Sequence, residues 1–191
     1  MAFRHFGSVV PKTIAKRILN IEYMADRIDF IRGGSFDTLA RFAGDPDTVF
    51  FIQFRADFEV FRQPCTTKGK QLMRYVLCSL ERQHSQQDSW HATESTIEHI
   101  LPDSLDEAWS ETFSEEEHAR YVDRLGNYAL LEQGKNKDLG QKPFTVKKAI
   151  FGISQYGLTR DVAACDEWSK DNIAQRQRKL ARLALTVWRL P

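Results

Sequence analysis

The sequence predicts a mainly α-helical fold with one small β-hairpin and a following helix embedded in it. Three observations carry this prediction. Apolar residues recur at helical spacing over most of the 191 residues. Only two short stretches, residues 96–101 and 128–132, have the β-branched or continuous apolar character of strands between turn and stop signals. The last twenty or so residues carry the clearest amphipathic stripe in the chain.

Taking the elements in order, Pro11 suits a first helical turn, and Ile14, Ile18, Ile21, Met24, Ile28 and Ile31 repeat along one face until Gly33-Gly34. A second short helix is expected over residues 36–43, closed by Gly44 and Pro46. The dense phenylalanines Phe50, Phe51, Phe54, Phe58 and Phe61 read as packing rather than a base-stacking platform. Thr66 or Thr67 is positioned to cap a helix carrying Leu72, Tyr75, Val76, Ser79 and Leu80, and residues 83–95, with His84 and His91, read as a polar loop. Residues 1–93 are thus expected to form a helical N-terminal subdomain and residues 94–191 a second unit ending in the C-terminal helix.

In that second unit, Thr96-Ile97 leads a strand through Glu98-His99-Ile100-Leu101 to a stop at Pro102. Alternation sends Glu98 and His99 to opposite faces, so both serve one site only if the strand twists or ends there. An acidic insertion follows, with Ser114 as a helix cap ahead of Glu115, Glu116 and Glu117, His118 on that helix, and Trp109 to pin it to the core. Gly126-Asn127 reads as a turn pair permitting positive φ before the run Tyr128-Ala129-Leu130-Leu131. Gly134 breaks the chain, Asn136 opens a helical turn, residues 143–156 read as helix, and Ser169 caps a final helix over residues 169–190. On that last helix Leu180, Leu183, Ala184, Val187 and Trp188 form the stripe, with Arg176, Arg178, Lys179 and Arg182 mainly off it.

Composition narrows the function. No apolar run reaches membrane-spanning length, residues 1–10 lack the form of a signal peptide, and three unpatterned cysteines suggest a reducing, cytoplasmic setting. The formal net charge of +1 hides an asymmetry. Residues 94–133 carry 2 basic and 11 acidic side chains, whereas residues 134–191 carry 12 basic and 5 acidic. A cation site beside a phosphate-binding surface has that pattern, and so do two solvated faces.

A hairpin followed by a short helix would bring Glu98, His99 and Asn136 around one ion. Phosphodiester hydrolysis needs a base for water, which neutral His99 suits near pH 7. It also needs a hard cation such as Mg²⁺ or Mn²⁺, for which Glu98 and the Asn136 side-chain carbonyl are oxygen donors. Taken singly, each residue has a plainer reading: a turn at Gly126-Asn127, a helix cap at Asn136, a solvated face at Lys147 and Lys148.

Together, T-I-E-H-I-L-P, R-L-G-N-Y-A-L-L, K-N-K-D-L and P-F-T-V-K-K resemble the HNH (ββα-metal) nuclease module. The likeness is to its domain-of-unknown-function 1524 (DUF1524) branch, found at the C-terminus of GmrSD-type, modification-dependent restriction and phage-defence enzymes. The resemblance implies a ββα-metal motif embedded in a helical domain and a metal-dependent DNA endonuclease. It assigns Glu98 and Asn136 to the metal, His99 to the general base and Asn127 to bracing the loop and orienting the histidine. Lys147 matches a basic family position, and Lys137, Lys148 and Arg176 are further candidates for DNA phosphate. The C-x-x-C pairs that hold structural zinc in many HNH modules are absent, since Cys65, Cys78 and Cys165 stand far apart. Family members usually carry an upstream ParB-like (DUF262) NTPase domain with an Asp-Gly-Gln-Arg-type motif. No such motif and no G-x-x-x-x-G-K-[ST] loop occurs here, so the chain is expected to be the nuclease part of a longer protein. The alternative is a DNA-binding or protein-interaction helical module with a decayed nuclease site.

Overall fold

The computed structural model describes residues 3–5, 8–10, 55–86, 95–134 and 139–187. The helices expected over residues 11–31 and 36–43, the rings of Phe50, Phe51 and Phe54, and His91, Asn136, Lys137 and Trp188 lie outside them. Packing divides the chain into two units, Met1–Phe61 with Ala181–Pro191, and Arg62–Leu180.

In the first unit, β1 (Phe3–His5) and β2 (Ser8–Val10) pair antiparallel with Phe3 opposite Val10, a hairpin that the sequence reading did not assign. Residues 55–59 are helical, and the buried rings of Phe58 and Phe61 stack with centroids 6.0 Å apart. Two of the clustered phenylalanines are therefore packing residues.

The second unit is built on a two-stranded sheet. α1 (Thr67–Ser85) starts at Thr66, whose hydroxyl accepts from the Gly69 amide at 3.1 Å. Its buried face, Leu72, Met73, Val76, Leu77 and Leu80, covers β3 (Ser95–His99) and β4 (Tyr128–Glu132). So α1, grouped by sequence with residues 1–93, packs with the segment that follows it. The helix also runs three residues into the expected loop, which puts His84 in its last turn, 3.8 Å from Asp161.

β3 and β4 pair antiparallel from Ser95 opposite Glu132 to His99 opposite Tyr128. Between them run α2 (Glu107–Ser110) and α3 (Glu115–Tyr121). Ser114 and Glu117 form a reciprocal capping box at the start of α3, as the S-E-E-E run predicts. Trp109 is buried and its Nε1 donates to the carbonyls of Gln141 and Lys142, both at 3.3 Å, which pins the insertion to the chain ahead of α4 (Phe144–Gly152).

Among the described residues, the edge of β4 away from β3 is finished by side chains rather than by a third strand. Thr159 of α5 (Gly157–Arg160) donates to Leu130 O at 2.6 Å. Arg176 of α6 (Lys170–Val187) donates to Tyr128 O at 2.7 Å and Gly126 O at 2.8 Å. Buried carbonyls must find donors, and these two residues supply them. The helix expected over residues 143–156 is shorter: α4 stops at Gly152, and Glu132 takes the Ser154 hydroxyl and the Gln155 amide as the chain turns toward α5. Ile100, Leu101, Trp109, Phe113, Leu131, Phe151 and Trp168 share one apolar core beneath the sheet.

Candidate active site

Glu98, His99 and Asp103 converge where β3 ends. The strand stops at His99, and Glu98 and His99 line the same cavity of about 290 Å³. The condition set by strand alternation is met because the pleat does not continue past His99. Cys65, Lys70, Ile97, Pro102, Asp103, Gly140 and Gln141 complete the lining.

His99 is 9% exposed, and its ring lies 4.4 Å from that of Tyr128. Nδ1 is 3.2 Å from Asp103 Oδ1. A carboxylate carries no proton to donate, so its charge at this distance favours the tautomer with the ring proton on Nδ1 and the lone pair on Nε2. Nε2 is buried, with no hydrogen-bond partner among the described residues. Burial lowers the His99 pKa below the usual histidine value, against the opposing pull of Asp103. The imidazole is therefore neutral at pH 7, with a free lone pair. Asp103 was missed in the sequence, although it directly follows Pro102 in the E-H-I-L-P-D run.

Glu98 is also buried, and Lys147 Nζ donates to its Oε1 at 2.8 Å and to the His99 carbonyl at 2.6 Å. Burial raises the Glu98 pKa and lowers that of Lys147, each offset by the opposite charge of its partner. The expectation that Lys147 touches DNA phosphate from a helix surface is corrected here. Lys147 is 0% exposed and sits on the core face of α4 with Phe144 and Phe151.

Arg176 is corrected likewise: it is buried, it spends its guanidinium on the carbonyls of Gly126, Tyr128 and Leu158, and burial pushes its pKa down to about 10. It lies on the buried face of α6, not off it. Lys148 stays at the surface, 3.4 Å from Asp166. Asn136 and Lys137 lie outside the described residues.

Asn127 is fully buried and uses its whole amide. Oδ1 accepts from Leu101 N at 2.8 Å and Trp168 Nε1 at 3.1 Å, while Nδ2 donates to Leu101 O and Val122 O, both at 2.9 Å. Its own carbonyl accepts from Ile100 N at 3.0 Å. The two residues after His99 are thus clamped from both sides. Gly126 does not adopt the positive φ expected of it; Leu125–Asn127 is a 3₁₀ turn. Glycine is needed because α6 passes so close that an added Cβ would meet Ile173 O at 2.4 Å. His118 Nε2 is 2.8 Å from Pro102 O and supports the loop that carries Asp103.

Curated proteins yield no match to the chain. The family of GmrSD restriction endonucleases, C-terminal domain, matches residues 53–183, a stretch that takes in α1, both strands of the sheet and most of α6. That match covers more than half of the sequence and contains the whole cavity, so the chain belongs to the family of the C-terminal, restriction-endonuclease-type nuclease domain of GmrSD enzymes.

Proposed function

We propose that this chain is an HNH-type, metal-dependent DNA endonuclease of a restriction or phage-defence system, acting in the cytoplasm, with His99 as general base. The observation that carries the reading is the buried Nε2 of His99, without a partner among the described residues, on a side chain that lines the cavity. Leaving a buried polar atom without a partner costs roughly 1–3 kcal/mol, so such an atom calls for a functional explanation. Asp103 holds the proton on Nδ1, and a water bonded to Nε2 loses its proton there as it attacks phosphorus.

A carboxylate on the same cavity fits a hard divalent cation, Mg²⁺ or Mn²⁺, for which Glu98 and Asn136 are the proposed ligands. Bound there, the ion would neutralise charge on the phosphate and the leaving oxygen. Lys147 occupies Oε1 of Glu98, and in this reading the second carboxylate oxygen is the metal ligand. Lys147 also anchors the carbonyl of His99, so one side chain positions both residues. Asn127 fixes the chain behind His99. Lys148 and Lys137 remain the proposed phosphate contacts, and an upstream DUF262-type NTPase domain the proposed partner.

The second reading, a DNA-binding module with a decayed nuclease site, draws on the same ion pair. A resident ammonium already neutralises the carboxylate that a metal would need. Calorimetric titration with Mn²⁺ separates the two. The nuclease reading expects binding that Glu98→Ala and Asn136→Ala abolish and His99→Ala retains. A native chain that binds no Mn²⁺ supports the decayed site, and loss of binding in His99→Ala makes His99 a ligand instead of a base.

A further inference from the structure

One group lining the cavity is unused by the chemistry above. Cys65 Sγ, a ring nitrogen of His99 and a carboxylate oxygen of Asp103 all lie within 4.8 Å of one another. Cys65 sits in the short segment ahead of α1, which is held on both sides. Gln63 N donates to Asp123 O at 2.9 Å, the Tyr128 hydroxyl donates to Gln63 O at 2.8 Å, and Thr66 caps α1. The thiol is thus fixed beside the site by the same tyrosine on which the His99 ring rests.

We infer that Cys65, His99 and Asp103 form a second cation site, for a thiophilic divalent ion of the zinc type, and that filling it switches off His99 as a base. The inhibitory half of this inference rests on the reading of His99 given above; the binding half does not. Geometry and donor chemistry support it. Zinc bonds of about 2.0 Å to nitrogen and oxygen, at a tetrahedral angle, hold those atoms roughly 3.3 Å apart. His99 Nδ1 and Asp103 Oδ1 already stand 3.2 Å apart, on the edge such a tetrahedron needs. Asp103 is 66% exposed and free to adjust, and water completes the fourth position. Nε2 is buried without a partner among the described residues, so within them the ring is not committed to structural bonding on both nitrogens.

Thiolate and imidazole select zinc-type ions over Mg²⁺, which prefers all-oxygen shells, so this site and the one proposed at Glu98 and Asn136 take different metals. Lys70 on the same cavity opposes a cation, against the negative charge of Asp103 and the thiolate. Three scattered cysteines build no zinc knuckle, yet one of them joins a histidine and an aspartate across the fold.

The proton balance explains the inhibition. Binding releases the Cys65 thiol proton to solvent. If the ion takes the Nδ1 lone pair, the ring proton moves to Nε2, which then donates and cannot accept from water. If it takes Nε2, the lone pair itself is consumed. In both cases His99 is lost as a base.

The test uses Co²⁺ as a spectroscopic probe on the whole chain, with Cys65→Ser, Cys78→Ser, Cys165→Ser and Asp103→Asn compared. The expected result is a thiolate-to-cobalt charge-transfer band, displaced by Zn²⁺ and lost only in Cys65→Ser among the cysteine variants, with affinity reduced at least about tenfold in Asp103→Asn. In parallel, Zn²⁺ is titrated into Mg²⁺-supported DNA cleavage, each variant scaled to its own zinc-free rate. Native cleavage should fall with zinc, and Cys65→Ser should need at least about tenfold more zinc for the same loss. Absence of the band, its survival in Cys65→Ser, or equal zinc sensitivity of the two chains overturns the inference. If the native chain cleaves no DNA with any metal, the nuclease reading fails, and the cobalt band alone decides the site.

Discussion

A neutral imidazole has one lone pair to offer, and at His99 the carboxylate against Nδ1 determines which nitrogen keeps it. Two pH dependences follow. Because burial holds the folded His99 pKa below the unfolded value of about 6.5, protonation favours the unfolded chain. The stability tied to His99 is fully present above about pH 6.5 and is lost as pH falls through the lower folded value. Urea unfolding of the native chain and His99→Gln across pH 4–8 should show this acid loss in the native chain and a weaker one in the variant. In cleavage, Asp103→Asn removes the charge that raises the His99 pKa, so the acid limb of the rate profile should shift to lower pH while the maximum rate falls. A limb that stays in place would mean Asp103 does not sense His99. Lys147 carries a different kind of test. Lys147→Met leaves the Glu98 carboxylate buried and unpaired, a loss of about 3–5 kcal/mol, whereas Glu98→Gln combined with Lys147→Met should recover part of it in denaturant unfolding.

At the scale of elements, the sheet and its surroundings were largely legible, and the reasons are local. A β-branched pair before Pro102 and an apolar run after Asn127 each demand a strand, and the observed register joins them. Ser114 with Glu117 is a capping box that needs no tertiary information. The misread residues were those whose setting is tertiary. Lys147 beside Lys148 looks like a solvated basic face, yet Phe144, Lys147 and Phe151 fall at helical spacing, and that stripe puts Lys147 inward. Arg176 is three residues after Ile173 and four before Leu180, on a stripe its charge disguised. At Gly126 the sequence suggests freedom in φ, whereas the constraint is the passage of α6. Gly126→Ala should therefore destabilise the chain by about 1–3 kcal/mol through overpacking against Ile173, measured by thermal or urea unfolding. An unchanged midpoint would show that α6 moves aside without cost.

Over the whole molecule, the acidic stretch from Glu94 to Glu132 supplies Glu98 and Asp103 to the cavity, while the basic C-terminal third divides its charges between two tasks. Lys147 and Arg176 are consumed inside, and Lys148, Arg178 and Lys179 remain at the surface. DNA affinity should fall steeply with salt, and Arg178→Ala with Lys179→Ala should reduce the log–log slope by about 0.9 for each phosphate that is no longer neutralised. No helix among the described residues is long and apolar enough to cross a membrane. What joins these scales is the claim that one buried histidine, aimed by Asp103 and held in place by Asn127 and Lys147, removes the proton from the attacking water. Single-turnover cleavage of plasmid DNA with Mg²⁺ or Mn²⁺, run on the native chain and His99→Ala with DNA binding measured in the same buffer, tests it most directly. The expected result is metal-dependent cleavage by the native chain and a loss of ~10²–10⁴-fold in His99→Ala with DNA binding intact. Cleavage by His99→Ala at the native rate, or none by the native chain with either metal, would contradict it.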